Sequence, residues 1–379
     1  MEDNRIINTN SVILGLFLSI SMVTKLITSV ISFSNNILIF TFLLFAVSVL
    51  MNLNGMFSIK FLCVNAVIFS AFLISTFLIT DSTFSLKYFS DFIIYGTIGM
   101  FLVSLKFNSD KTIKTIATVF LVFSLLTLLK YIPRAEVINY DESSMEISYT
   151  MVIGLSAAFF SWKLFNKFFR VLLIISSAIC IYYLFFLSDC RGAVLSLIVL
   201  IGVYILRRSK RKALWAVIFV LLTVFIIFGF NMIIEALLKK YSDIHWLNRF
   251  KFGDDIFTGR SELFNLAKDT IMENFFFGKG IGYFETIANG QYTHNIFLQL
   301  FCEFGAVIGS ILSAVFIVLV IKGLFKSKND FELFCIIQFI PRLLVSSVYW
   351  QNPFIWIFIY SKLASKSGNF KKLRSVEKS

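Results

Sequence analysis

One of only two histidines in the 379-residue chain, His294, stands where a polar loop runs into a long apolar segment, "QYTHNIFLQLFCEFG", residues 291–305. An imidazole changes charge near neutral pH and suits general acid–base work. Its structural alternative is a helix-end group, with Thr293 as the cap, and this plainer role is the one assigned to His245 in "YSDIHWLNRF". Two arginines are expected on the same side of the protein: Arg191 in "LSDCRGAVLSL" and Arg260 in "TGRSELFNLAKD". A guanidinium is a permanently charged planar fork that matches phosphate oxygens. Two of them with one histidine suit a reaction in which a diphosphate departs and a single proton is taken up. Each arginine also has a structural alternative, Arg191 as a snorkelling side chain or a partner of Asp189, and Arg260 as a solvated helix start.

Beyond His294, the polar residues Asn295, Gln299 and Glu303 recur at i, i+4 and i+8 in an otherwise apolar run, so they share one helix face. Polar groups in a transmembrane helix face a protein interior or a watery cavity, which makes these three candidate substrate-binding residues. Glu303 lies roughly 13 Å below His294 by helical rise, too deep to be the first choice for the proton. A better role for it is ion-pairing with Arg342 in "QFIPRLLVSS", another candidate binding residue. Arg342 is expected about 10 Å inside its span, where an unpaired charge costs about 2.5–3.5 kcal/mol or more. Pro341 is expected to kink that span. The stretch "YWQNP" at 349–353 offers an aromatic ring and amides for polar ligand groups, against the commoner reading of an interfacial aromatic belt.

The elements that position these residues follow from composition. With 58% hydrophobic residues, 47 Phe, 3 Pro and a mean hydropathy of +0.84, the chain is an integral membrane protein. About twelve apolar runs are read as membrane-crossing helices, near 11–31, 36–53, 60–80, 88–105, 112–131, 149–162, 171–187, 191–206, 213–237, 295–321, 331–349 and 353–364. The first is too long for a signal-peptide core and lacks a small-residue cleavage site, so it is expected to be retained. The net charge of +13 collects in alternate loops and the tail ("KFNSDKTIK", "WKLFNKFFR", "RRSKRK", "KGLFKSK", "KLASKSGNFKKLRSVEKS"), which predicts both termini in the cytoplasm and argues against nucleic acid as the partner. The five cysteines have no metal spacing or disulfide framework. Two loops then face outward, at about 132–148 and 238–294. The longer one contains an amphipathic helix from about Ser261 to Asn274, begun near Thr258, with Leu263, Phe264, Leu266, Ala267 and Ile271 on its apolar side. It is expected to lie on the membrane surface or to cover a cavity between spans. Gly278, Gly280 and Gly282 in "GKGIG" read as a tight turn back toward the membrane, since no strand precedes them as a nucleotide loop would require.

The sequence "TGRSELFNLAKDTIMENFFFGKGIGYF", then "HNIFLQLFCEFGAVIG" with "SDCRGAVLSL" upstream, resembles the signature region of the O-antigen ligase and O-antigen polymerase superfamily. The resemblance spans residues 188–322, while the first 180 residues are similar only in hydropathy and span number. It implies an all-α, single-domain polytopic membrane protein similar to the multi-span lipid-dependent glycosyltransferases, the GT-C-like fold, in a bacterial inner (cytoplasmic) membrane. It implies transfer of a glycan from undecaprenyl diphosphate with no cofactor and no metal, Arg191 and Arg260 neutralising the diphosphate and His294 taking the acceptor proton. Its implied partners are a lipid-linked glycan donor and acceptor, the lipid bilayer and a chain-length regulator. Polymerisation of lipid-linked repeat units is the first reading. Ligation of the finished glycan to lipid A core or another acceptor is the second. A lipid-linked oligosaccharide flippase or transporter is the third, disfavoured because the chain shows no repeated halves.

Overall fold

The computed structural model describes residues 2–28, 36–52, 58–79, 81–128, 142–188, 190–209, 211, 214, 217–218, 260–327 and 329–364. Nearly all of the expected ninth span, His245, the first part of the long loop and the basic tail therefore lie outside the described residues. Helix is the only regular structure among those that are described. With no water in a bilayer core, an apolar run satisfies its backbone most simply by hydrogen-bonding within itself.

In chain order the helices are α1 (Glu2–Leu18), α2 (Ile20–Thr28), α3 (Asn36–Met51), α4 (Ile59–Leu78) and α5 (Thr83–Asp91), the last continuing through a π-helical stretch (Phe92–Thr97) into α6 (Ile98–Ser104). Next come α7 (Ser109–Leu128), α8 (Glu142–Ser161), α9 (Lys167–Tyr182) and α10 (Arg191–Arg208). The final group is α11 (Ser261–Glu273), α12 (Tyr283–Ile287), α13 (Ile296–Lys326), α14 (Asp330–Val345) and α15 (Pro353–Ala364). Short polar side chains begin several of them: Ser58 accepts from the Phe61 N–H, Asn166 from Phe169 and Asn329 from Phe331.

By length and composition, five helices among the described residues can cross a membrane, or six if α1 and α2, bent by 73° at their junction, form one broken span. The expectation of twelve spans is met only to that extent. Helices occupy most of the other expected positions, but those at 37–51, 192–206 and 353–363 fall short of a full crossing. Apolar runs read from sequence do not reveal where a helix breaks.

α1, α6, α7, α8, α14 and α15 enclose a core of fully buried aromatic rings, among them Phe17, Phe101, Phe120, Phe123, Phe334, Phe339 and Phe358. The far half of α13 differs, leaving Val307, Ile308, Ile311, Val315, Val318 and Ile321 exposed along its length. Such a stripe suits hydrocarbon.

α13 is two helices, 296–304 and 306–326, joined at Gly305 with φ 70° and ψ −176°. The break is filled by backbone from the turn after α11. Lys279 N–H donates to the Cys302 carbonyl (2.8 Å), Gly280 N–H to that of Glu303 (3.0 Å), and Ala306 N–H to that of Phe275 (2.6 Å). Gly278 (φ 72°) faces Gly305 so closely that a Cβ on either would come within 2.5 Å of the other's amide nitrogen. Gly280 and Gly282 also have positive φ, and together the three glycines turn the chain back onto α13. Gly305→Ala forces a side chain into a backbone region open essentially to glycine alone, at a cost of about 1–3 kcal/mol before the clash is counted. It is expected to lower the unfolding temperature in detergent by more than Gly309→Ala in the same helix, measured side by side.

Candidate functional site

Arg260 occupies the N-cap position of α11, where Thr258 was expected; Thr258 itself lies outside the described residues. The helix then buries Ala267 and Thr270, with Leu263, Leu266 and Ile271 packed on Phe284, Ala288 and Cys302. The Cys302 thiol lies 3.6 Å from the Ala267 carbonyl oxygen. α11 is therefore clamped to the near half of α13, and Arg260 is carried toward the start of that half-helix.

His294 precedes it in a left-handed backbone conformation (φ 55°), uncommon for a residue with a side chain. Its neighbours hold the turn: Thr293 Oγ1 lies 2.9 Å from the Asn295 carbonyl and 3.0 Å from Gln299 Oε1. Asn295, rather than Thr293, is the cap, its Oδ1 accepting from the Phe297 and Leu298 N–H groups at 2.9 and 3.3 Å. The His294 ring rests 4.1 Å from that of Tyr292, whose hydroxyl donates to the Ser346 carbonyl (2.6 Å). Its Nδ1 is buried with no hydrogen-bond partner among the described residues. Burial, and after it the nearby Arg260 charge, pull the imidazole pKa down to about 4, against a smaller opposing effect of the Val345 backbone. The group stands as a neutral base at neutral pH.

Gln299 and Glu303 do share a face, as expected, but Asn295 is occupied in capping. Gln299 Nε2 donates to Glu303 Oε1 (2.7 Å) and to Glu285 Oε1 (3.0 Å), bridging two buried carboxyl groups. Glu285, on α12, also accepts from the Tyr88 hydroxyl at 2.8 Å. Burial pushes its carboxyl pKa up, against the hydrogen bonds from Tyr88 and Gln299. Glu303 accepts in addition from the Tyr349 hydroxyl and from Trp350 Nε1 (3.4 Å).

The expected Glu303–Arg342 ion pair is therefore not formed among the described residues. α14 runs through Pro341 and ends at Val345, which puts Arg342 in its last turn rather than deep in the span. The guanidinium lies 4.3 Å from the Tyr149 ring centroid, a cation–π contact on α8. The chain then turns, and Tyr349 and Trp350 supply the donors for Glu303. Of the amides of "YWQNP", Gln351 donates to Asp91 (2.9 Å) and Asn352 Oδ1 accepts from the Phe354 N–H (3.1 Å), while Asn352 Nδ2 is buried without a partner among the described residues.

Arg191 is the first residue of α10, but its side chain and Asp189 lie outside the described residues. The start of that helix packs close to the Arg342 side of the site, since a Cβ on Gly192 would meet the Tyr149 hydroxyl and Ser346 Oγ. Sequence reading missed Glu285, Tyr88 and Tyr149. Glu285 is one of several acidic residues in the long loop and nothing in the sequence set it apart; Tyr88 and Tyr149 are distant in sequence and gave no signal.

An all-helical membrane protein with a broken helix, a histidine at the mouth of its near half and an arginine-led loop helix clamped across it is the class that the geometry defines. Residues 175–313 match the family model described as O-antigen ligase, a similarity over that region that supports the O-antigen ligase and polymerase superfamily. A search of curated proteins gives no significant match.

The Glu303 network yields a direct test. Glu303→Ala leaves the buried donors of Tyr349, Trp350 and Gln299 unpaired, at about 1–3 kcal/mol each, whereas Glu303→Gln keeps an acceptor in place. Thermal unfolding in detergent should rank wild type above Glu303→Gln and place Glu303→Ala well below both.

Proposed function

We propose that this chain is a membrane glycosyltransferase that polymerises undecaprenyl-diphosphate-linked repeat units into O-antigen or a similar surface polysaccharide. The observation that carries the proposal is the clamping of α11, headed by Arg260, onto the half-helix that His294 precedes, which brings the Arg260 charge near an imidazole that burial, and after it this charge, keeps neutral. In this reading an acceptor sugar hydroxyl attacks the anomeric carbon of the donor. The new glycosidic bond forms as the bond from that carbon to the diphosphate oxygen breaks, and its electron pair leaves with the lipid diphosphate. Arg260 and Arg191 take up the departing negative charge by forked hydrogen bonds, which stabilises the transition state. His294 accepts the hydroxyl proton. Arg342 closes the same side of the site with Tyr149, while Gln299, Glu303 and Glu285 hold the half-helix at its angle. Their side-chain bonds are to protein groups, so we assign them positioning roles in place of the sugar contacts expected from sequence.

We assign the site to the external face of a bacterial inner membrane, with both termini cytoplasmic, a reading that the distribution of basic residues supports. Donor and acceptor glycans both reach it on lipid carriers, and a chain-length regulator is the protein partner that fits a polymerase. Ligation to lipid A core is the second reading, favoured by the description of the family model as O-antigen ligase. It needs the same bond chemistry with a different acceptor.

Arg260→Lys keeps the charge and loses the fork. It should lower transfer strongly while membrane protein levels stay near wild type; full activity would remove Arg260 from diphosphate binding. His294→Ala should insert normally and lose about 10²–10⁴-fold in rate, the usual contribution of an acid–base group. In a host that makes lipopolysaccharide, gel analysis separates the readings: loss of a polymerase leaves core capped by one repeat unit, and loss of a ligase leaves bare core.

The lowered His294 pKa also fixes a pH dependence. The working form is neutral imidazole, populated above about pH 4. The acid limb of kcat/KM should therefore lie near pH 4, with little loss between pH 8 and pH 6. A limb near the ordinary histidine value would contradict this placement of His294.

A further inference from the structure

The turn that fills the break in α13 also carries an apolar cluster used by neither the fold nor the reaction. Phe275, Phe276 and Phe277 are 46%, 62% and 79% exposed, and Met272, one turn before them on α11, is 66% exposed. Three consecutive bare phenylalanine rings beside an exposed methionine are an apolar patch of the kind that marks an interaction surface. Their height relative to the bilayer is fixed, because the Phe275 carbonyl accepts from Ala306 N–H and the Gly278 amide abuts Gly305.

From that level onward α13 exposes Val307, Ile308, Ile311, Val315, Val318 and Ile321, and its next charged residue is Lys322. The rise from Gly305 to Lys322 is about 25 Å at 1.5 Å per residue. The hydrocarbon core of a bilayer is about 30 Å thick. With Lys322 at one edge of the hydrocarbon, Gly305 lies about 5 Å inside the other. The rings are then level with the outermost acyl carbons and continuous with the lipid-facing stripe below them. The charges of the turn lie to one side, as a Lys279–Glu273 ion pair (3.1 Å). The polar backbone at this depth is partnered by the broken helix, which is what hydrocarbon demands of an irregular segment.

We propose that the Phe275–Phe277 turn is a wedge inserted into the hydrocarbon of the leaflet nearest the long loop, its partner the acyl chains of the bilayer. The loop helix α11 is thereby anchored at the membrane surface at its C-terminal end, and Arg260 at its other end is held at a fixed height above the lipid. This differs from a helix lying along the surface, because the buried face of α11 is against protein and only the turn beyond it enters lipid. The inference rests on the geometry of α11 and α13 and holds whichever reaction the site performs.

The test is a nitroxide label at Phe277→Cys in the full-length chain, with the five native cysteines replaced, reconstituted into phosphatidylcholine vesicles. Power saturation should show oxygen colliding with the label several-fold more often than a water-soluble nickel chelate, at a depth just below the phosphates. A label at Lys268→Cys, on the exposed side of α11, should show the reverse preference. Equal access of the nickel chelate to both positions would overturn the proposal by placing the rings in water. Exclusion of both relaxants at 277 would overturn it by showing a protein cover, and dipolar broadening would identify that cover as a second copy of the chain. If the Phe277→Cys protein does not fold, Phe276→Cys carries the same expectations.

Discussion

The candidate site depends on one exchange of backbone hydrogen bonds. At Gly305 the α13 helix gives up its own pairing, and the turn at 274–280 supplies the missing partners to Cys302, Glu303 and Ala306. A broken helix inside a membrane is tolerated only when its freed groups are satisfied by protein. The break and the turn therefore require each other, and the two facing glycines are the residues that let the backbones meet. α11 before the turn and the half-helix that follows His294 become one body as a result. Arg260 and His294, 34 positions apart in sequence, owe their proximity to this body rather than to a direct bond.

A second layer of constraint lies in the polar interior beside the half-helix. One glutamine amide serves two carboxyl groups, and Tyr88, Tyr349 and Trp350 bring in donors from α5 and the stretch before α15. A buried network with every donor placed is directional in a way that apolar packing is not. It pins the half-helix on a face adjacent to the one that packs against α11. Thr293 ties it to the His294 turn through Gln299. The histidine is held between these two attachments in a backbone conformation that a free loop would leave.

Much of this was legible in the sequence. The amphipathic spacing from Leu263 to Ile271 gave α11 to within a residue at its far end, and "GKGIG" announced a turn. The i, i+4 relation of Gln299 and Glu303 gave their shared face. Gly305 was not legible, because a lone glycine in an apolar run is compatible with an unbroken helix; only the turn packed against it marks it as a break. The supposed pairing of Glu303 with Arg342 followed from charge and estimated depth. It failed because α14 ends at Val345, and a helix end set by tertiary packing is not written in hydropathy. At the α1–α2 bend two helices occupy one apolar run, a break that hydropathy does not show.

The electrostatics of the site follow from which groups are buried and which meet the loop. An imidazole in contact with Tyr292 and under the field of Arg260 is kept uncharged by its surroundings before any substrate arrives. In the reaction proposed above, a diphosphate entering beside Arg260 would cancel part of that field and raise the basicity of the ring as the proton is taken. In that proposed reaction, binding of the leaving group and activation of the acceptor would be coupled through a single arginine. The coupling requires Arg260 and His294 to keep a fixed separation, and the α11–α13 clamp supplies that rigidity. A flexible external loop bearing the same two residues would bind the anion but lose the link between its arrival and the strength of the base.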